Sequence, residues 1–328
     1  MLRIAKSVLV AVLAIIGSQA TAMVCAEDAG SDVRFESADG VQLRGTFYPG
    51  AVDSPCVLLI HEFGREVASR PWIELAESLH KRGMAVLRFD LRGHGESTEV
   101  EPDKFWLPGW PNRNLVKTRD PETISYRDFD DRYLPFLVQD LAAAKAYLDR
   151  RNDAGRCNSS NLVVVAAENG ATLASLWVNA EWRRHRVYPA AAFGMLPRVE
   201  EEPEGKRILA AVLVDAAGKV GSQRVDLSST LTLPGRIGRM PIALMYGSDT
   251  ASAQRAKAAE RTLKARGLDL PFTGAAAVTN AGDRRGSLLL AMKPVQDAIG
   301  LFIEEVHDRR SREWEDRDIA SATFMQRN

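Results

Sequence analysis

Cysteine is scarce in this chain, three residues in 328, and that scarcity excludes a disulfide-dense scaffold. Two cysteines outside the first 26 residues, with five histidines at no ligand spacing, also provide no structural zinc site. A charge excess of either sign is missing too: 43 Lys and Arg face 43 Asp and Glu. Without basic excess nothing neutralises a phosphate backbone, so nucleic acid is excluded as a partner. Long apolar runs are the third absence. Beyond the leading residues no run reaches the roughly 20 residues needed to span a bilayer.

The leading residues have their own pattern. Arg3 and Lys6 precede an apolar run over residues 7–17, and two small-residue sites follow, Ala20-Thr21-Ala22 and Val24-Cys25-Ala26. This predicts a secretory signal over residues 1–26 and export to the periplasm or beyond the cell. Ala22-Met23-Val24 before Cys25 is a poor lipid-attachment box, so lipidation is not expected. Without Arg3 and Lys6, 41 basic side chains face 43 acidic ones, a formal charge of −2. Cleavage after Ala26 would leave Cys56 and Cys157, an even number in an oxidising compartment.

The remainder predicts one α/β domain over residues 27–308, with a long connection at 98–133, and a charged tail over 309–328 expected to be solvated. Alternating residues around Asp39-Gly40 predict a hairpin. Continuous apolar runs at 56–60, 85–89, 162–167, 209–215, 242–246 and 272–278 predict mostly buried strands. Helical spacing marks 71–82, 134–151, 171–178, 251–266 and 287–306. Strands alternating with helices predict a mostly parallel sheet of about eight strands covered on both faces. The connection carries Phe105, Trp106 and Trp110, candidates for a lid or ligand contact, with a small self-packed core as the alternative.

Residues 162–171 read L-V-V-V-A-A-E-N-G-A, a strand, a tight turn and the start of a helix. That is the setting of a nucleophile elbow, written G-x-S-x-G. Here the elbow reads A-A-E-N-G, with Glu168 in the place of the serine, and no G-x-S-x-G occurs elsewhere in the chain.

Two further stretches carry a resemblance. Residues 90–97 read D-L-R-G-H-G-E-S after a buried strand, and residues 58–64 read L-L-I-H-E-F-G. With the elbow, these make the chain resemble the α/β-hydrolase superfamily from about Val33 to Val306. The resemblance implies a triad in the order nucleophile, acid, base. Its positions fall on Glu168, on Asp249 after the strand at 242–246, and on Asp283, where the family carries histidine. It implies oxyanion amides at Phe63 and Asn169, a cleft beside His61 and Glu62, and a purely structural His94. It also makes the strands behind Cys56 and Cys157 neighbours, so these two are expected to pair as a disulfide. Asp249 could instead cap the following helix, and Asp283 could be a turn residue.

Serine hydrolysis needs a nucleophile, a base and oxyanion donors. Nucleophile and base are both replaced here. The first reading is therefore a degenerate triad: a pseudoenzyme that binds a small molecule or a protein through a retained cleft. The second is an active hydrolase of ester, epoxide or haloalkane type using Glu168, since relatives in the superfamily use aspartate there with a histidine to activate water. The third is a structural envelope protein. No cofactor or metal is expected. Gathered carboxylates would repel unless protonated or neutralised, with Arg65, Arg284 or Arg285 preferred over a cation for that role.

Overall fold

In a computed structural model, residues 30–188, 198–264, 273–318 and 323–326 are described. The expected signal segment lies outside them. In chain order the principal strands and helices are β1 (Ser31–Glu36), β2 (Gln42–Tyr48), β3 (Pro55–Ile60), α1 (Arg70–His80), β4 (Ala85–Phe89), α2 (Val138–Asp153), β5 (Asn158–Ala167) and α3 (Glu168–Glu181). They continue with β6 (Arg184–Tyr188), β7 (Arg198–Pro203), β8 (Ile208–Val214), β9 (Ile242–Tyr246), α4 (Thr250–Lys264), β10 (Gly274–Ala277), α5 (Lys293–Arg310) and β11 (Thr323–Gln326).

Eight strands form one sheet in the order β1-β2-β4-β3-β5-β8-β9-β10. The hairpin β1–β2 is antiparallel and β2 meets β4 antiparallel, while every pairing from β4 to β10 is parallel. The expected fold class is observed. The parallel strands β3, β4, β5, β8 and β9 are buried on both faces, which is why these runs are continuous rather than alternating, while β10 lies at the sheet edge and is partly exposed. One core packs α2 and α3 against the sheet through Tyr147, Leu148, Leu173 and Trp177. The other packs α1 and α5 through Trp72, Leu75, Ile299 and Phe302. At about 25 cal/mol per Å² of apolar area removed from water, these two cores are the main source of stability.

Two further expectations need correction. The charged stretch after α5 is mostly exposed over residues 311–318, as expected, but it is anchored by its backbone and by a buried Arg317. Asn158 and Asn161 donate to the Arg312 carbonyl at 3.0 and 2.9 Å, and the Arg317 side chain is 1% exposed. Arg317 donates to Glu204 Oε2 at 2.8 Å and lies 3.6 Å from Asp149 Oδ1, beside the Lys145–Asp149 pair at 2.9 Å. Alternation of charge marks solvent only when no buried counter-charges await it, and here they do. Farther on, β11 pairs with β6, which pairs with β7, in a small antiparallel sheet that the sequence reading missed.

The second is the disulfide. Cys56 and Cys157 are adjacent, as the neighbouring strands require, but both are free and fully buried. A hydrogen bond links their side chains, and burial, then the Cys157 sulfur, pushes the Cys56 thiol well up. Cys157 Sγ also donates to the Leu148 carbonyl at 3.8 Å.

Candidate functional site

Glu168 follows β5 without an intervening residue and opens α3 with φ of +49°. A non-glycine residue held there stores on the order of 1–3 kcal/mol, which the buried strand and helix on either side enforce. Gly170 permits the turn: a Cβ at that position would collide with the His61 carbonyl at the end of β3. The elbow geometry is therefore intact, and it presents a carboxylate at the carboxyl end of the sheet.

Two more carboxylates converge from neighbouring strands. Glu62, two residues beyond β3, is buried; its Oε2 accepts from Trp72 Nε1 at 3.3 Å and its Oε1 from Ser287 Oγ. Asp215, the residue after β8, also has φ of +49° and is buried. It accepts from the Gly247 amide and Ser252 Oγ, both at 3.0 Å, and from the Gly286 amide at 2.9 Å. Burial first, then the charges of Glu62 and Asp215, raises the Glu168 carboxyl above its ordinary range, opposed by Arg65 and Arg285. Three carboxylates at one end of three adjacent strands thus favour a proton on Glu168. Among the described residues no group of three histidine, cysteine or acidic side chains is arranged to hold a metal ion.

The expected oxyanion pair is altered. The Phe63 amide donates to Asn169 Oδ1 at 2.7 Å, so the side chain after the elbow takes the hydrogen bond that a substrate oxygen would need. Nor do the expected acid and base face Glu168. Asp249 Oδ2 accepts from the Ser252 amide at 2.9 Å and lies 3.8 Å from Arg255, as a cap of α4. Asp283 is exposed. What touches Glu168 from that loop is Gly286, where a Cβ would stand 2.5 Å from Glu168 Oε1. Asp215 and Ser287 were missed by the sequence reading. The signal for Asp215 was a lone carboxylate ending the apolar run 208–214.

The nearby histidines are structural. His61 and His94 are buried, and each donates through Nδ1 to a carbonyl (Glu62 and Arg92, 2.8 and 2.9 Å) while accepting through Nε2 from an amide (Leu91 and Gly64, 3.0 and 2.9 Å). Burial, joined at His94 by the neighbouring His61, brings both down to about 4, so both are neutral near pH 7. Arg92, fully buried, donates to Asp39 at 2.6 Å, to Asp140 at 2.8 Å and to Tyr133 Oη at 2.7 Å, fixing the turn that carries His94.

Beside Arg65 opens a cavity of about 350 Å³ lined by Gly64, Arg65, His94, Ser125, Tyr126 and Arg127. The long connection supplies the last three. Its aromatic stretch joins the main core: Phe105 is buried in it, Trp106 packs on it, meets Phe105 edge-on at 4.7 Å and donates to the Pro121 carbonyl at 2.8 Å, and Trp110 is half-buried.

The carboxyl-end site, the strained elbow and the strand order decide the architecture. The fold is that of the α/β-hydrolases. Solved structures similar over most of this chain include a dienelactone hydrolase of Anabaena variabilis, 17% identical, covering 87% of this chain and 99% of that one at TM-score 0.52. An esterase of Pyrococcus furiosus is 15% identical over 87% and 92% at 0.51. Est1E of Butyrivibrio proteoclasticus is 12% identical over 85% and 100% at 0.50. No protein-family profile matches the chain. Among curated proteins, Thiohydrolase aneE of Aspergillus aculeatus is 40% identical over 81 residues, 23% of this chain and 24% of that protein. An uncharacterized protein of Mycobacterium tuberculosis is 39% identical over 69 residues, 20% and 24% of the two chains. The chain spans about a quarter of the length of the curated relatives it matches. No described helix is long and apolar enough to cross a membrane.

Proposed function

We propose that this is an exported α/β-hydrolase homologue that binds a small molecule or a protein in its cleft and does not turn over esters by serine chemistry. The observation that carries the reading is the pairing of the Phe63 amide with Asn169 Oδ1 beside an elbow whose side chain is a carboxylate. A negative oxygen developing next to Glu168 would be repelled by Glu62 and Asp215, and it would compete with Asn169 for its donor. Export rests on the leader pattern of residues 1–26.

A second reading, hydrolysis through Glu168, is favoured by one observation: the strained turn still presents that carboxylate at the reacting position. It requires a base for water, and the three donors on Asp215 leave that carboxylate committed to the loops it ties together. The test is a panel of esters, lactones, thioesters, epoxides and haloalkanes, run with the purified protein and with Glu168→Gln. Thioesters are included because a relative matched over a quarter of its length is named a thiohydrolase. No turnover by either protein is the expected result. Turnover by the parent alone would establish the second reading.

A further inference from the structure

At the opposite end of β8 from Asp215, about 20 Å away at strand rise, the sheet carries a second concave site. It is a crevice of about 420 Å³ whose floor is Ile208, Leu209, Met240 and the Trp182 ring, and whose walls bear Lys206, Arg309, Arg310 and Arg312. Arg239, between the lining residues Gly238 and Met240, stands at the rim and acts on Arg310 as a fifth cation from a separate loop. These side chains come from four segments: the turn before β8, the loop before β9, the end of α5 and the strap after it.

Two carboxylates serve three of the five. Glu202 pairs with Lys206 at 2.6 Å and Arg312 at 3.3 Å, and Glu305 pairs with Arg309. No described carboxylate pairs with Arg239 or Arg310. Partial burial, then the repulsion of Arg239 and Arg312, lowers Arg310 from its ordinary range, as expected of a cation facing cations. The negative end of α5 accounts for basic residues in its last turn but not for Lys206, Arg239 and Arg312, which belong to other segments. Trp182 beneath them is 9% exposed and offers its ring to the crevice.

We propose that this crevice binds a phosphate group, held over the Trp182 ring by the guanidinium groups of Arg310 and Arg239, with which no described carboxylate pairs. Guanidinium matches phosphate oxygens bidentately, which suits two arginines converging from separate segments. The site is independent of the carboxyl-end cleft and of any activity there.

Calorimetric titration with inorganic phosphate and with pyrophosphate, at ionic strength held constant with sodium chloride, should give one saturable site. The double variant Arg239→Ala/Arg310→Ala should bind about 10–100-fold more weakly, the loss expected for hydrogen bonds to charged groups. Its melting temperature should be unchanged, since both residues are exposed. Glu168→Gln should bind like the parent. Vesicles with and without phosphatidylglycerol identify the source of the phosphate: capture by the anionic vesicles alone, lost in the double variant, assigns the group to a lipid head. Absence of saturable binding to phosphate, pyrophosphate and anionic vesicles would overturn the proposal. So would binding that the double variant retains in full.

Discussion

The amide of Phe63 and the side chain of Asn169 are joined at 2.7 Å across the gap between the loop after β3 and the first turn of α3. In a working hydrolase of this fold that gap receives the substrate's oxygen. Here it is closed by the chain itself, at the residue beside Glu168, so restoring a serine alone does not restore the site.

Glu168→Ser, alone or with Asp283→His, is accordingly expected to gain no esterase activity and no labelling by fluorophosphonates. Asp283 is exposed, whereas Gly286 is the residue against the elbow. Labelling at position 168 in the double variant, at a rate typical of serine hydrolases, would show that residue 283 reaches the elbow after all.

Glu168→Gln should stabilise the protein at neutral pH. The sign follows from the raised carboxyl: the folded state holds its proton more tightly than the unfolded chain, so ionising Glu168 costs stability as pH rises above the ordinary carboxylate range. The variant removes that cost, and its melting temperature should exceed the parent's by about 1–3 °C at pH 7.5. The difference should vanish near pH 4. Equal melting temperatures at both pH values would mean that neither burial nor the charges of Glu62 and Asp215 raise the Glu168 carboxyl.

His61 and His94 predict acid sensitivity. Both are held near 4 in the folded state, against about 6.5 in an unfolded chain. The unfolded chain therefore gains protons first, and the stability contributed by the neutral rings is full above pH 6.5 and lost between 6.5 and 4. The upper bound is about 3 kcal/mol per ring. Denaturant unfolding at pH 7.5, 5.5 and 4.5 checks this, and a flat stability across that range contradicts it. Burial raises the Asp90 carboxyl beside His61, against the lowering effect of the Val67 and Glu96 amides, so a modest opposing trend from it belongs in the fit.

Cys56 and Cys157 should resist thiol reagents in the native protein, because both are fully buried, and both should react after unfolding without reductant. Peptide mapping that recovers them joined would place a bridge where the thiol pair stands.

Arg317→Ala should cost about 3–5 kcal/mol, since it leaves Glu204 and Asp149 buried with less compensation. Arg317→Lys should recover part of this. A loss below about 1 kcal/mol by urea unfolding would place Arg317 in solvent.

Most of the sheet was legible because burial on both faces writes long apolar runs: β9 matches the expected strand at both ends, and β8 is shifted by one residue at each end. The elbow was legible because strand, turn and helix are contiguous there. Legibility fails where partners are distant in sequence. The carboxylates that face Glu168 come from 106 residues before it and 47 after it. Nothing local distinguishes Asp215 from Asp249, both acidic residues after apolar runs; only the path of the loops decides which one turns inward. The same holds for Arg317, whose counter-charges lie on α2 and just before β8.

The strap carrying Arg317 also bears on how the chain comes to be folded. During synthesis from the amino end, every strand of the eight-stranded sheet has emerged before residue 311. Lys145, Asp149 and Glu204 are then already enclosed by α2 and β8, with their last counter-ion still unmade. A nascent chain halted before Arg317 would leave Glu204 with Lys145 and Arg207 but Asp149 and Glu204 short of one buried partner, so this corner of the core is completed only after residue 317 has been joined.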